Sequence, residues 1–242
     1  MNNVKAKYWV MELCVLCALA SGAMADRRSY VWTYEYQTMP KGMAEVEYYL
    51  THKIRDWDNY DDDNTWESAV EFEYGLTDHW DIAIYQTWQK TNTESQDQCG
   101  YTGSKVRTRY RIGEKGEFPL DVLLYAEYIL GDGEKEYDKF EGKLILAKDF
   151  DKWNLSYNQI YEKKTKNGDE TEHAYATGLS YEFSPVWKVA IESTGNYTEN
   201  KYYLGPTVSW ASEKIWVNFG VLGGLNDRSN DVQFRLLLGI PF

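Results

Sequence analysis

From residue 44 to residue 242 the chain alternates. Runs of about ten residues exchange hydrophobic for polar at every step, and clusters of turn-forming residues separate them. Residues 44–56 put Val46, Tyr48, Leu50 and Ile54 on one face and Glu45, Glu47, Tyr49, Thr51 and Lys53 on the other. Residues 65–74 set Trp66, Val70, Phe72 and Tyr74 against Glu67, Glu71 and Glu73, and residues 80–89 set Trp80, Ile82, Ile84 and Trp88 against Asp81, Ala83 and Tyr85. The contrast is sharpest over residues 105–112: Val106, Thr108, Tyr110 and Ile112 face one way, Lys105, Arg107, Arg109 and Arg111 the other. The same period recurs over residues 120–128, 140–146, 153–161, 175–183, 187–191, 204–210, 215–221 and 232–242. These runs predict twelve strands.

The connections alternate as well. Short ones fall at residues 76–79, 114–118, 149–152, 184–186 and 211–214; longer polar ones fall at 57–64, 90–103, 131–137, 164–170, 195–201 and 224–231. Short turns at one end and long loops at the other mark a barrel of the bacterial outer membrane. The predicted fold is therefore all-β: one antiparallel up-and-down transmembrane barrel of twelve strands over residues 44–242, with both ends on the periplasmic side. An unpaired strand edge is intolerable in lipid, so the sheet has to close.

Composition alone points away from a membrane. Mean hydropathy is -0.62, which excludes a helical membrane protein with its apolar runs of about 20 residues. Yet 16% of the 242 residues are aromatic, including 21 Tyr and 10 Trp. Alternation reconciles the two: half of each strand is polar because it faces a lumen, and the other half coats lipid. Tyr74, Trp80, Trp153, Phe183, Trp187, Trp210 and Phe242 lie beside the short turns or the chain end and form the expected periplasmic aromatic girdle. Trp66, Trp88 and Tyr161 lie near the long loops and suit an outer girdle. A net charge of -12 argues against a nucleic-acid partner.

The first 25 residues read as a secretory signal peptide. Lys5 and Lys7 precede an apolar stretch over residues 13–20, and Ala23 and Ala25 supply small residues at a cleavage site. The competing reading, a retained anchor, has an apolar run that is short for a span. Leu13 and Leu16 precede Cys14 and Cys17, which does not suit lipoprotein processing. After cleavage Cys99 is the one cysteine left, so no intramolecular disulfide is expected. Residues 26–43 form an N-terminal segment that either enters the lumen as a plug or stays periplasmic.

The inward faces carry the candidate chemistry. Lumen-lining candidates are Lys105, Arg107, Arg109 and Arg111 together with Glu45, Glu47, Glu71, Glu73, Tyr125, Glu127 and Arg235. Two readings compete: a salt-bridged polar core that fills the lumen, or a conducting channel in which residues 105–111 form an anion-attracting track. Small inward residues, among them Ala174, Ala176, Gly178, Ser180, Gly205, Ser209, Gly220 and Gly239, place free volume against residues 171–242.

Residues 232–242, alternating and ending on Phe242, resemble the C-terminal strand read by the outer-membrane insertion machinery. The run Glu73-Tyr74-Gly75-Leu76-Thr77-Asp78-His79-Trp80-Asp81 resembles the strand-turn-strand of small outer-membrane barrels grouped with the meta-pathway phenol-degradation transporter-like proteins, and residues 107–127 are similar to that group too. The resemblance implies an outer-membrane barrel with a transport role and carries over no catalytic residue.

Some outer-membrane barrels are lipid-modifying enzymes with a His at the outer rim. Here His79 falls in a periplasmic turn, and parity turns His52 and His173 toward lipid. Asp56, Asp58, Asp61, Asp62 and Asp63 make an oxygen-rich loop, but Asp61 stands where a calcium-binding EF-hand loop needs Gly. A solvated acidic loop facing lipopolysaccharide fits better, and neither a metal nor a cofactor is expected. The leading function is a porin-like channel for small polar solutes or ions in the outer membrane of a Gram-negative-type bacterium, in contact with lipid and lipopolysaccharide. The alternative is a closed-lumen structural or surface-interaction barrel; a lipid-modifying enzyme is weaker.

Overall fold

The computed structural model of the chain describes residues 28–93, 96–132, 138–166 and 169–242; the leader expected over residues 1–25 lies outside them. Twelve strands follow one another: β1 (Ala44–Ile54), β2 (Asp63–Thr77), β3 (Trp80–Thr93), β4 (Gln96–Ile112), β5 (Asp121–Gly131), β6 (Lys139–Phe150), β7 (Trp153–Lys164), β8 (Thr171–Ser184), β9 (Trp187–Asn196), β10 (Lys201–Ala211), β11 (Trp216–Gly224) and β12 (Val232–Pro241). Each pairs with its neighbours in chain order, and β1 pairs with β12 to close the barrel. The closing register runs from Glu45 opposite Pro241 to Ile54 opposite Val232, and Ala44 and Phe242 exchange backbone hydrogen bonds of 3.1 and 2.8 Å. No sheet edge is left to meet lipid.

The period-two pattern becomes two surfaces. Along β3, Asp81, Ala83 and Tyr85 are buried, while Ile82 and Ile84 between them are 40% and 54% exposed. Val70, Phe72, Val106, Leu124, Leu144, Leu155, Val189, Ile191, Leu204 and Phe219 continue that exposed apolar band around the outside. A soluble protein of this size would expose far less contiguous apolar surface; lipid is what covers it. Trp80, Trp153, Phe183 and Trp187 are exposed at the short-turn end, and Trp187 packs against Trp210. Phe242 sits on the outside near Phe72, 6.2 Å between ring centroids.

Two local expectations change. The long loop expected at residues 90–103 is a hairpin: β3 and β4 run on to Thr93 opposite Gln96. Beyond Trp88 both faces of this hairpin are polar, as in Lys90, Thr91, Asn92 and Gln98, so the alternation that identifies a strand in lipid disappears while the backbone pairing continues. A bulge sits where the pattern breaks: Thr87 faces Gly103, Trp88 faces Tyr101, and Gly103 has φ +142°. Ile54, expected on the lipid face, is buried at the outer end of β1, where loop residues Arg55, Trp57 and Asp231 hydrogen-bond to one another.

Candidate functional site

Beneath the outer end, the lumen has two layers. The lower one is a braced wall of buried charge. Arg107, on β4, reaches across β3 to Glu71 (2.9 Å) and Glu73 (2.8 Å) on β2. Arg109 donates to Asp81 from Nε (3.0 Å) and Nη2 (2.7 Å), and also pairs with Glu73. Tyr49 links this group to β1, its hydroxyl lying 2.5 Å from Glu47 and 2.6 Å from Glu71. Glu45 accepts from the indole of Trp216 at 2.7 Å. Arg111, at the periplasmic end, donates to the carbonyl of Asp78 and lies over the ring of Tyr36. Buried carboxylates and guanidiniums persist only when paired and hydrogen-bonded. Three of the four cations from Lys105 to Arg111 therefore have carboxylate partners: Lys105 holds Glu127 at 3.1 Å, which Tyr125 also meets at 2.8 Å.

Residues 28–43 are the remaining part of the lower layer. They form no strand, yet Arg28, Ser29, Tyr30, Val31, Thr33, Tyr36, Thr38 and Met39 are buried. Barrel side chains hold this segment by its backbone. Glu192, on β9, accepts the consecutive N–H groups of Val31 (2.9 Å), Trp32 (2.9 Å) and Thr33 (2.8 Å), plus the Thr207 hydroxyl at 2.5 Å. Asn158, on β7, receives the N–H of Tyr34 at 2.6 Å and donates to its carbonyl at 2.9 Å. Ser209 and Asn218 both donate to the carbonyl of Arg28 at 2.8 Å. Nearer the periplasm, Asp81 accepts from the N–H of Met39 at 3.0 Å, and Tyr36 donates to the carbonyl of Gly113 at 2.6 Å.

Charge is matched in the same way. The Arg28 guanidinium lies 3.4 Å from Glu47, donates to Tyr49 at 2.8 Å and sits over the ring of Tyr34. The segment thus brings a cation to a wall where Glu47, Glu71, Glu73 and Asp81 outnumber Arg107 and Arg109. The small inward residues of β8–β12 find their purpose here. The lower part of the volume expected to be free against residues 171–242 is occupied, since a Cβ on Gly178 would run into the Tyr30 ring and one on Gly220 into Trp32 and Val31, while beside Ala174 and Ala176 the lumen stays open. Tyr30 reaches past Gly178 to donate to the Asn154 carbonyl at 2.7 Å.

The upper layer is an open vestibule of about 700 Å³. Its floor includes Val31, Trp32, Tyr34, Tyr49, Tyr85 and Tyr125. Its wall is a ring of ion pairs: Lys53–Glu67 at 2.6 Å, Lys105–Glu127, Lys143–Glu141 at 2.9 Å, Lys139–Glu162 at 2.8 Å and, at the rim, Lys201–Glu199 at 2.8 Å. Lys143 also lies over the rings of Tyr34 (4.6 Å) and Tyr125 (4.2 Å). Arg235 enters from β12, donating to Thr51 Oγ1 at 2.9 Å and to the Val31 carbonyl at 3.2 Å. Sequence parity identified the inward residues but not Glu192, Asn158 or Asn218 as holders of the segment. Their signal was weak: single polar residues on otherwise small inward faces.

The histidines lie apart. His52 stacks on Trp66 at 3.8 Å on the lipid face, His173 packs edge-on to Tyr161, and His79 pairs with Glu114 at the periplasmic turns. In the acidic loop, Asp56 Oδ1 accepts the N–H of Asp58 at 3.0 Å.

A closed twelve-stranded barrel, apolar outside and polar within, with short turns at one end, is a transmembrane barrel of the bacterial outer-membrane type, and its fold is that of outer-membrane porins. The chain belongs to the family described as "Putative MetA-pathway of phenol degradation", whose model matches residues 114–238, more than half of the chain. Among solved structures it is similar to the KdgM porin (TM-score 0.58, 11% identity, covering 82% of this chain and 99% of that one) and to the NanC porin (0.56, 11%, 82% and 98%). It is also similar to Omp33 of Acinetobacter baumannii (0.51, 9%, 84% and 99%). No curated protein matches the sequence.

Proposed function

We propose that the protein is a porin-like channel for small polar solutes, closed in the present state by its own N-terminal segment. One observation carries the reading. The outer half of the lumen is a polar vestibule of about 700 Å³, and residues from 28–34, which belong to no strand, help to form its floor. A barrel braced only for stability has no need of an unstructured floor: apolar side chains from the strands fill a lumen at lower desolvation cost. With the segment withdrawn, the small faces of β8–β12 that now receive Tyr30, Val31 and Trp32 become the wall of a path to the periplasm.

The lumen-lining roles follow from the same geometry. Arg107, Arg109, Glu71 and Glu73 brace the wall, and Glu47 and Glu192 dock the segment. Lys105, Tyr125, Glu127 and Arg235 meet the solute in the vestibule. Arg111 and Glu45 close the periplasmic end. The chemistry of the site is passage, not catalysis. The Ala44–Phe242 closure leaves the β12 end beside β1, which suits its reading as the insertion signal.

Osmotic swelling of proteoliposomes tests this. The full chain should admit small sugars slowly and a chain lacking residues 28–40 rapidly, with both showing the heat-modifiable gel mobility of a folded barrel. Equal, negligible swelling by both would favour the closed structural barrel instead, whose support is the density of the ion-paired wall.

A further inference from the structure

Seven cationic and five acidic side chains line the vestibule. Each of the five acids has a lysine of its own, and Arg28 is held by Glu47. Arg235 is different. Among the described residues no carboxylate lies within 4.0 Å of it; its protein acceptors are one hydroxyl and one carbonyl, met by Nε and Nη1. Nη2 is left to the cavity. The guanidinium lies over the Trp32 ring, 5.4 Å from its centroid. The backbone N–H of Trp32 is held from below by Glu192, and its ring packs over Gly220, the cross-strand neighbour of Arg235.

We propose that Arg235 and the aromatic floor beside it form a binding site for a small planar organic carboxylate. This deepens the channel reading by naming the class of solute. A guanidinium offers a planar fork that matches a carboxylate, and here the vestibule gives that fork a hydroxyl and a carbonyl but no carboxylate, leaving the outer N–H groups of Nη1 and Nη2 to a solute. The other cations of the vestibule each have a carboxylate within 4.0 Å, so Arg235 is the one there that a solute carboxylate can pair, and the site suits a monoanion better than a phosphate ester. Trp32, Tyr34, Tyr85 and Tyr125 make the floor aromatic, which favours a flat apolar body behind the carboxylate. Arg235 also touches the plug through the Val31 carbonyl, so a bound carboxylate competes with one of the segment's own attachments.

Fluorine NMR on the full chain in detergent micelles provides the test, with 4-fluorobenzoate and its uncharged isostere 4-fluorobenzamide as probes. The benzoate should bind at least tenfold more tightly than the benzamide. Arg235→Gln should remove that preference, and Arg235→Lys, which keeps the charge without the fork, should weaken the benzoate severalfold. Sodium acetate should displace the benzoate where sodium chloride at equal ionic strength does not. Equal binding of the two probes to the unmodified chain overturns the proposal whether or not the variants fold. So does displacement by chloride as effective as by acetate, or a folded Arg235→Gln barrel that binds the benzoate unchanged. Binding without any solute passage in the swelling assay would keep the site and overturn the channel.

Discussion

Glu192 is the point at which the plug is easiest to loosen without disturbing the barrel. Its buried carboxylate takes three consecutive backbone N–H groups of the segment and one hydroxyl, four acceptances in all. Glu192→Gln keeps the shape but replaces one oxygen with an NH2 group, which points a donor at donors. In the better orientation the NH2 replaces Oε1, where the Thr207 hydroxyl can turn to accept; the Val31 N–H then loses its acceptor, at ~1.5–3 kcal/mol, and the Trp32 and Thr33 bonds lose their charge, at ~1 kcal/mol each, so the docked segment is weakened by about 3–5 kcal/mol. Glutamine is cheaper to bury than glutamate, which favours the lower end of that range. At ~1.4 kcal/mol per tenfold, the displaced population rises about 100-fold. Hydrogen–deuterium exchange with mass spectrometry reads this directly, since the amides of Val31, Trp32 and Thr33 exchange only when they leave Glu192. Their exchange should accelerate by about that factor, while Glu199→Gln, a change at the rim, should leave them as they are. If protection of these amides in a folded Glu192→Gln barrel stays within twofold of the unmodified chain, the carboxylate does not hold the segment and the reasoning fails.

Two more outcomes follow from the lower layer. Arg109→Glu should not produce a channel of altered preference: it adds a carboxylate beside Asp81 and Glu73 and removes their partner. Breaking a buried pair costs about 3–5 kcal/mol, and the folded, heat-modifiable band should fall sharply. Gly178→Leu fills the space of the Tyr30 ring on a strand that otherwise keeps its pairing, so it should dislodge the segment and raise the proteoliposome swelling rate toward that of the chain lacking residues 28–40.

Strand positions and facing were legible because lipid imposes them. Wherever one side of a strand meets hydrocarbon and the other a polar lumen, contrast appears at every residue, as from Lys105 to Ile112. Where the hairpin of β3 and β4 rises out of the membrane, the contrast vanishes and so did the strand. The partners of the inward charges were less legible. Glu127 is the residue directly opposite Arg107, yet Arg107 turns instead to Glu71 and Glu73, two strands away, and curvature of the closed barrel is what brings them together. The docking of residues 28–43 was hidden most deeply. Residues 29–39 alternate as a strand would, yet they join none; they are held by side chains as far along the chain as Glu192 and Asn218 acting on their backbone. The trace this docking leaves in the sequence is complementary: small residues on one half of the wall, and bulky Tyr30, Trp32 and Tyr34 in a segment that would make an odd thirteenth strand.

Single-channel recording in planar bilayers, comparing the full chain with the chain lacking residues 28–40, tests the gated channel most directly. The full chain should stay closed except for brief openings. The shortened barrel should show a steady conductance, because the residues that fill the narrow half of the lumen against Gly178 and Gly220 are gone. A folded shortened barrel that conducts no better than the full chain would contradict the account.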